Sequence, residues 1–230
     1  MSSSVVNSVN KIKFSTINCN SILNKVSYVF NFLTENKVDI LSLSETWLIS
    51  NICSSFVEVP GYVFYCTDVL GEVRKHGVGL YVRGSMGSVQ IDVDMPNVVV
   101  VHLPIYDLYI VSLYRPPSYS VESNNTLMEF LADFSLGKDL VLLGDFNLPS
   151  LRWDRTCVCE GYVPPMQMEF YNCFLTLGLS QWVEESTFDL SDSILDLVFT
   201  SRDDAFGEVE VLSPLQGSYR FFEPENLDFS

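Results

Sequence analysis

The chain of 230 residues carries a formal net charge of −16, and charged residues make up 18% of it against 47% hydrophobic ones. That length suits one large domain burying about three quarters of its unfolded surface, and the apolar fraction argues against disorder. The negative charge argues against a protein that grips nucleic acid through a broad basic face, while phosphates can still be bound locally through a cation and a few side chains.

Residues 1–11 read as a flexible N-terminus, and "MSSSVVNSVNKIKF" lacks the apolar core of a signal peptide. "KFSTINC" alternates into a strand ending near Asn18. "SILNKVSYVFNFLTENK" follows as a helix, with Ile22, Val26, Val29, Phe30 and Leu33 on one face and Ser21 as N-cap. "VDILSLSETWL" is a second strand leading to Glu45, so the opening is a strand–helix–strand unit of a layered α/β fold. Residues 61 to 114 hold five further strands, expected as an antiparallel meander extending the first sheet. The most apolar stretch, "NVVVVHLPIYDLYIVSLY", is broken by His102, Pro104 and Asp107, so no membrane span is expected. "NNTLMEFLADFSLG" is an amphipathic helix and "DLVLLGDFN" a buried strand. "PPMQMEFYNCFLTLGLS" is a helix with Pro165 near its start and Gly178 near its end, before strands at "SILDLVFTS" and "GEVEVLS". No repeat or linker interrupts this order.

Three carboxylates share one placement. Glu45 and Asp145 end strands, and Asp196 interrupts an apolar one; Asn18 and Asn147 sit at comparable strand ends. In open α/β sheets, ligands gather at the carboxyl ends of strands. Carboxylates converging there repel one another unless a cation joins them, and Mg²⁺ accepts such oxygens together with water and substrate phosphate. A single Asp at a strand end is ordinarily a cap or a turn residue. Gly-Asp-Phe-Asn after one apolar run, with Ser-Glu-Thr-Trp after another, favours a site instead.

The motifs "INCNSILNK", "LSLSETWL", "GVGLYVR", "SLYRPP", "VLLGDFNLP" and "SILDLVFTS", in this order, resemble the endonuclease/exonuclease/phosphatase superfamily, in particular the apurinic-endonuclease-like domain of non-LTR retrotransposons. The resemblance covers residues 12–215. It implies a deoxyribonuclease I-like, four-layer α/β sandwich, two mixed sheets face to face with helices outside, and incomplete at its C-terminal strand. It implies a Mg²⁺ (or Mn²⁺) cofactor and DNA as partner. Glu45 would be the metal ligand, with Asn18 orienting the metal and water. Tyr114 would contact the scissile phosphate, Asp145 would orient or deprotonate the attacking water, and Asn147 would hold phosphate oxygens. Asp196 would orient a histidine, and Thr187 would support the phosphate contact. The chemistry asks for the same types: a cation to neutralise developing charge, neutral donors aimed at phosphate oxygens, and a positioned base.

The family ends in Ser-Asp-His, whereas this chain reads Gly217-Ser218-Tyr219-Arg220 there. Arg220 supports phosphate charge and could pair with Asp196, but it stays protonated and takes no proton from water. Losing a general base lowers a rate by about 10²–10⁴. Residues 216–230 read as a divergent, frayed tail. His102 is expected as a hydrogen-bonded core residue and His76 in a solvated turn; the "RKHG" run could equally touch a DNA backbone. The six cysteines include no Cys-x-x-Cys pair and are read as reduced thiols: Cys19 as buried, Cys157 and Cys159 as loop filler. An intracellular, nuclear or cytoplasmic protein without obligate protein partner is expected. No reverse-transcriptase region is present in the chain, so self-mobilisation is not expected. The functional reading is a Mg²⁺-dependent, retroelement-derived DNA-nicking endonuclease with impaired activity. The alternatives are an inactive remnant or binding module, or a phosphoesterase acting on a phosphorylated lipid or inositol phosphate.

Overall fold

A computed structural model describes residues 12–48, 56–67, 76–151, 153, 162–188, 193–202, 208–212 and 221–225. In chain order come β1 (Phe14–Asn18), α1 (Val26–Glu35), β2 (Ile40–Ser44), β3 (Tyr62–Cys66) and β4 (Val78–Arg83). A 3-10 turn at Gly84–Met86 leads to β5 (Val89–Ile91), β6 (Val98–Leu103) and β7 (Leu108–Tyr114). After them come α2 (Val121–Ser135), β8 (Asp139–Asp145), α3 (Pro165–Thr176), β9 (Ser180–Gln181), β10 (Asp196–Thr200), β11 (Glu208–Leu212) and β12 (Phe221–Glu225).

Two six-stranded sheets result, in the orders β11-β12-β1-β2-β4-β3 and β5-β6-β7-β8-β10-β9. Both are mixed: β1 runs parallel to β2 and β7 parallel to β8, and the remaining pairings are antiparallel. The period-two alternation of each strand sorts its side chains to two faces. Phe14, Ile40, Val78, Leu80 and Val82 of the first sheet join the inter-sheet core, while Ile17, Leu41, Leu43 and Tyr81 face outward beneath Val29, Phe32 and Leu33 of α1. Leu127 and Leu131 of α2, with Phe170 and Phe174 of α3, cover the second sheet, Phe174 lying 4.3 Å from Phe199 between ring centroids. The order α1, sheet, sheet, α2–α3 is the four-layer sandwich. Full burial of a Val, Leu or Ile side chain contributes roughly 1.5–3 kcal/mol relative to exposure, so register is set firmly by the apolar part of each strand.

The inward positions turn polar toward one end. Thr16 and Asn18 follow Phe14 on β1, and Ser42 and Ser44 follow Ile40 on β2, all buried. Ser42 Oγ lies 2.6 Å from Ser112 Oγ of β7, and the Asp145 N–H donates to Ser44 Oγ at 3.2 Å. These bonds tie the sheets together where the apolar packing gives out, and the site is built there.

Several expectations need correction. The strands of residues 61–114 do not form one meander: β3 and β4 stay in the first sheet, and β5 to β7 open the second. Gly87, at φ 65°, closes the 3-10 turn between the two groups in a conformation suited to glycine. Helix α1 begins at Val26, with Lys25 rather than Ser21 at its N-cap. Ser21 instead sits at φ 74° and donates its N–H to the Glu45 carbonyl at 2.8 Å. Phe30, expected on the buried face, is turned toward solvent at 38% exposure, and Phe32 is buried instead. The tail expected to fray, leaving the sheet incomplete, instead contains β12, inserted between β11 and β1. Strand β1 is buried along its whole length, and its edge needs a hydrogen-bonding neighbour. Pro224 lies beyond Phe221 and Phe222, the two residues in register with β1, so its missing N–H interrupts none of those pairs. His102 is only half-buried, stacked on Tyr109 at 4.3 Å with Asp107 3.5 Å away. Cys19 is a buried free thiol as expected, pushed up to about 12 by burial; Cys157 and Cys159 lie outside the described residues. No helix among the described residues is long and apolar enough to cross a membrane.

Candidate active site

Parallel pairing places the carboxyl ends of β1 and β2 together, and likewise those of β7 and β8. Because β10 runs antiparallel to β8, its first residue lands at the same end. Asp145 is therefore in register with Tyr114 on one side and Asp196 on the other. Facing them across the sandwich are Asn18 and Glu45. The Asn18 amide donates one hydrogen to Glu45 Oε1 at 2.8 Å and one to Asp145 Oδ2 at 2.9 Å. One side chain thus joins carboxylates carried by different sheets.

The Gly-Asp-Phe-Asn segment is shaped for this. Gly144 has φ 141°, and a Cβ there would meet the Leu113 carbonyl oxygen at 1.9 Å, so only glycine lets β8 lie so close to β7. Asn147 is left-handed at φ 48°, a conformation Asn tolerates better than most residues. Its N–H donates to Asp145 Oδ1 at 3.0 Å, and its side-chain amide donates to the Arg115 carbonyl at 3.1 Å. Arg115, the arginine of "YRPP", is 1% exposed. Its guanidinium donates to the carbonyls of Phe146 and Asn147 at 3.2 and 3.1 Å and to Asn124 Oδ1 at 2.8 Å. It holds the turn from beneath.

Burial of the carboxylates sets the electrostatics. Desolvation raises Asp145 to about 7; bonds from Asn18 and Asn147 oppose the shift, as does Arg115, while the Glu45 charge adds to it. Asp196 lies well above the usual carboxylate range, first from burial and then from the Asp145 charge. The Tyr114 hydroxyl is likewise pushed up by burial, then by Glu45 and Asp145. It therefore remains a protonated donor at neutral pH.

Thr187 sits behind Asp196. Its Oγ1 accepts the N–H groups of Leu195 and Asp196 at 2.8 and 3.2 Å. It shapes the start of β10. Asp196 Oδ1 is buried and has no hydrogen-bond partner among the described residues. Asn18, Glu45, Asp145, Asn147, Thr187 and Asp196 line a cavity of about 330 Å³. Its other wall is apolar, made by Pro117, Pro149, Phe188 and Leu195.

All the expected site residues within the described segments gather at this end, with Tyr114 against Glu45 and Asp145. Arg220 and Tyr219 lie outside the described residues. His76 is not in a solvated turn: it is half-buried, its ring edge-on to Tyr114 at 5.8 Å. Sequence reasoning missed Ser44, Arg115 and the apolar wall. Neither Phe188 and Leu195, beside Thr187 and Asp196, nor the arginine of "YRPP" carried a separate signal in the sequence.

The donors are oxygen-rich and hard. No group of three or more His, Cys, Asp or Glu that could hold an ion occurs among the described residues. Mg²⁺, however, asks for only one or two carboxylates beside water and phosphate. Glu45, half-buried at the edge of this cavity beside the buried Asn18, fits such an ion.

Residues 108–218 match the model of a family described as endonuclease–reverse transcriptase. No curated protein matches the chain. An AP endonuclease from Leishmania major superposes with a TM-score of 0.77 at 16% identity, over 97% of this chain and 90% of that one. A 3′ phosphatase from Neisseria, solved with a product DNA hairpin, gives 0.72 at 19% identity, over 94% and 99%. The endonuclease domain of TRAS1, a telomere-specific non-LTR retrotransposon, gives 0.70 at 16%, over 94% and 98%. At these identities the likeness is one of fold. The family match over residues 108–218 and these shared folds agree with the resemblance to the endonuclease/exonuclease/phosphatase superfamily.

Proposed function

We propose that the chain is a divalent-cation-dependent phosphodiesterase of retroelement origin that nicks DNA, with activity lowered by the absence of the terminal Asp-His. The observation that carries this reading is the Asn18 amide bonded at once to Glu45 and Asp145, in a cavity where a buried Asp196 oxygen has no partner among the described residues. Purely structural carboxylates would be expected to find full sets of donors.

Glu45 and Asn18 would hold a Mg²⁺ or Mn²⁺ ion, which would supply charge neutralisation at the phosphate. Tyr114 donates its retained proton to a phosphate oxygen. Asn147 spends one amide hydrogen on Arg115 and presents the other to the phosphate. Asp145, held near neutrality in its acidity, takes the proton of the attacking water. The bond from phosphorus to its leaving oxygen breaks as the water oxygen attacks. Asp196 would orient a histidine in the family; with Tyr219 and Arg220 in that motif, no imidazole follows it. The acidic chain approaches DNA against its own charge and without a broad basic face, so binding should be weak, with a shallow salt dependence.

The test is conversion of supercoiled plasmid to the nicked form with Mg²⁺ or with EDTA. Weak, Mg²⁺-dependent nicking that is lost in Asp145→Ala supports the reading. Nicking that survives both EDTA and Asp145→Ala refutes it. The Gly-Ser-Tyr-Arg sequence favours a second reading, an inactive DNA-binding remnant, which would bind DNA without nicking it.

A further inference from the structure

Two residues of "SETWL" carry backbone conformations that side-chain-bearing residues avoid: Glu45 and Trp47 both have φ 54°. For a bulky residue such as tryptophan this is a marked outlier, and such strain persists only where surrounding bonds over-determine it. Four backbone bonds do so here. The N–H groups of Ser21 and Ile22 donate to the carbonyls of Glu45 and Thr46 at 2.8 and 3.1 Å. On the opposite side, the N–H groups of Thr46 and Trp47 donate to the carbonyls of Gly77 and His76 at 3.2 and 2.9 Å. The segment is pinned from both flanks, and its twist brings the indole back over the residue two before it. Trp47 Nε1 donates to Glu45 Oε2 at 3.4 Å, while Asn18 holds Oε1 at 2.8 Å.

We propose that Trp47 is a positioning residue for the cation site, its indole N–H and the Asn18 amide fixing the plane of the Glu45 carboxylate from opposite oxygens. The inference rests on the reading of Glu45 as a metal ligand. An indole suits this task because it donates one hydrogen and accepts none. It orients a carboxylate without neutralising the charge the ion needs, as a lysine or arginine would. The neighbours of metal ligands act in this way, and their loss typically costs about 10–100-fold in metal affinity.

The three indoles have different surroundings, which makes the idea measurable. Trp182 Nε1 donates to Thr200 Oγ1 at 2.8 Å, and Trp153 Nε1 has no partner among the described residues. In ¹H–¹⁵N spectra of the full chain, the signal lost in Trp47→Phe identifies the Trp47 indole. Its movement in Glu45→Gln, with the other two indoles unmoved, is the expected result; an unmoved signal overturns the proposal whether or not an ion binds. Mn²⁺ titration by calorimetry supplies the second readout. Trp47→Phe, with wild-type circular dichroism and Tm, should bind about tenfold more weakly. Affinity within about twofold of wild type, where Glu45→Gln abolishes binding, defeats the inference alone. Mn²⁺ binding that is absent, or indifferent to Glu45→Gln, defeats the reading of Glu45 and this inference with it.

Discussion

Asp145→Asn should flatten a pH dependence of stability that the fold builds into the metal-free protein. Burial raises the Asp145 carboxyl from 3.8 to about 7. A folded-state pKa above the unfolded one means that the native state keeps a proton which the unfolded chain has released. Stability is therefore full below about pH 4 and is lost as pH rises through 7. At 1.36 kcal/mol per unit, the shift corresponds to about 4 kcal/mol, of which about 3 kcal/mol falls between pH 5 and pH 8. The asparagine carries no charge, so this slope vanishes in the variant. It can still accept the Asn147 N–H, but it turns an amide against the Asn18 donor and forfeits a hydrogen bond worth about 1–2 kcal/mol. Urea unfolding in EDTA should then find the variant more stable than wild type by about 2–3 kcal/mol at pH 8, with the advantage gone at pH 5. Taking the difference at each pH removes the slopes of other carboxyls except for their coupling to Asp145. A stability difference between variant and wild type that does not change between the two pH values would refute the assignment of a buried, raised carboxyl. Saturating Mg²⁺ should abolish the wild-type loss, because binding stabilises the folded state.

Gly144→Ala sets a Cβ against the Leu113 carbonyl in a backbone region reserved for glycine, and should cost about 3 kcal/mol or more; a Tm near wild type would contradict the packing of β8 on β7. Thr187→Val keeps the shape but strands two buried N–H groups, for a loss of about 2–4 kcal/mol by urea unfolding, whereas Thr187→Ser should stay within about 1 kcal/mol. Equal losses in the two Thr187 variants would show that the methyl group matters and the oxygen does not. The Tyr219→Asp, Arg220→His double variant should raise plasmid nicking by about 10² or more; an unchanged rate would mean that this segment does not deliver a base to the site.

What the sequence determined by itself is local and periodic. The alternating run Phe14–Asn18 and the apolar run Val98–Leu103 read as strands, and the structure buries both. A carboxylate and an amide two residues apart at the end of an apolar strand were legible as chemistry, because hydrophobic burial gives Asp145 no structural reason to be there. Tertiary structure alone decided the rest. Nothing local says that β5 to β7 should leave the first sheet, since both destinations offer the same alternating faces. The strand at Phe221–Glu225 looked like a tail because its composition is poor for a strand, and only the exposed edge of β1 calls it into the sheet. Ser44, Arg115 and Trp47 acquire meaning from partners that the fold supplies. The joining bond of the site, Asn18 to Asp145, spans 127 positions of chain. A hydrogen bond depends on atoms within about 3 Å in space, and separation along the chain carries no information about that distance until the two sheets have packed.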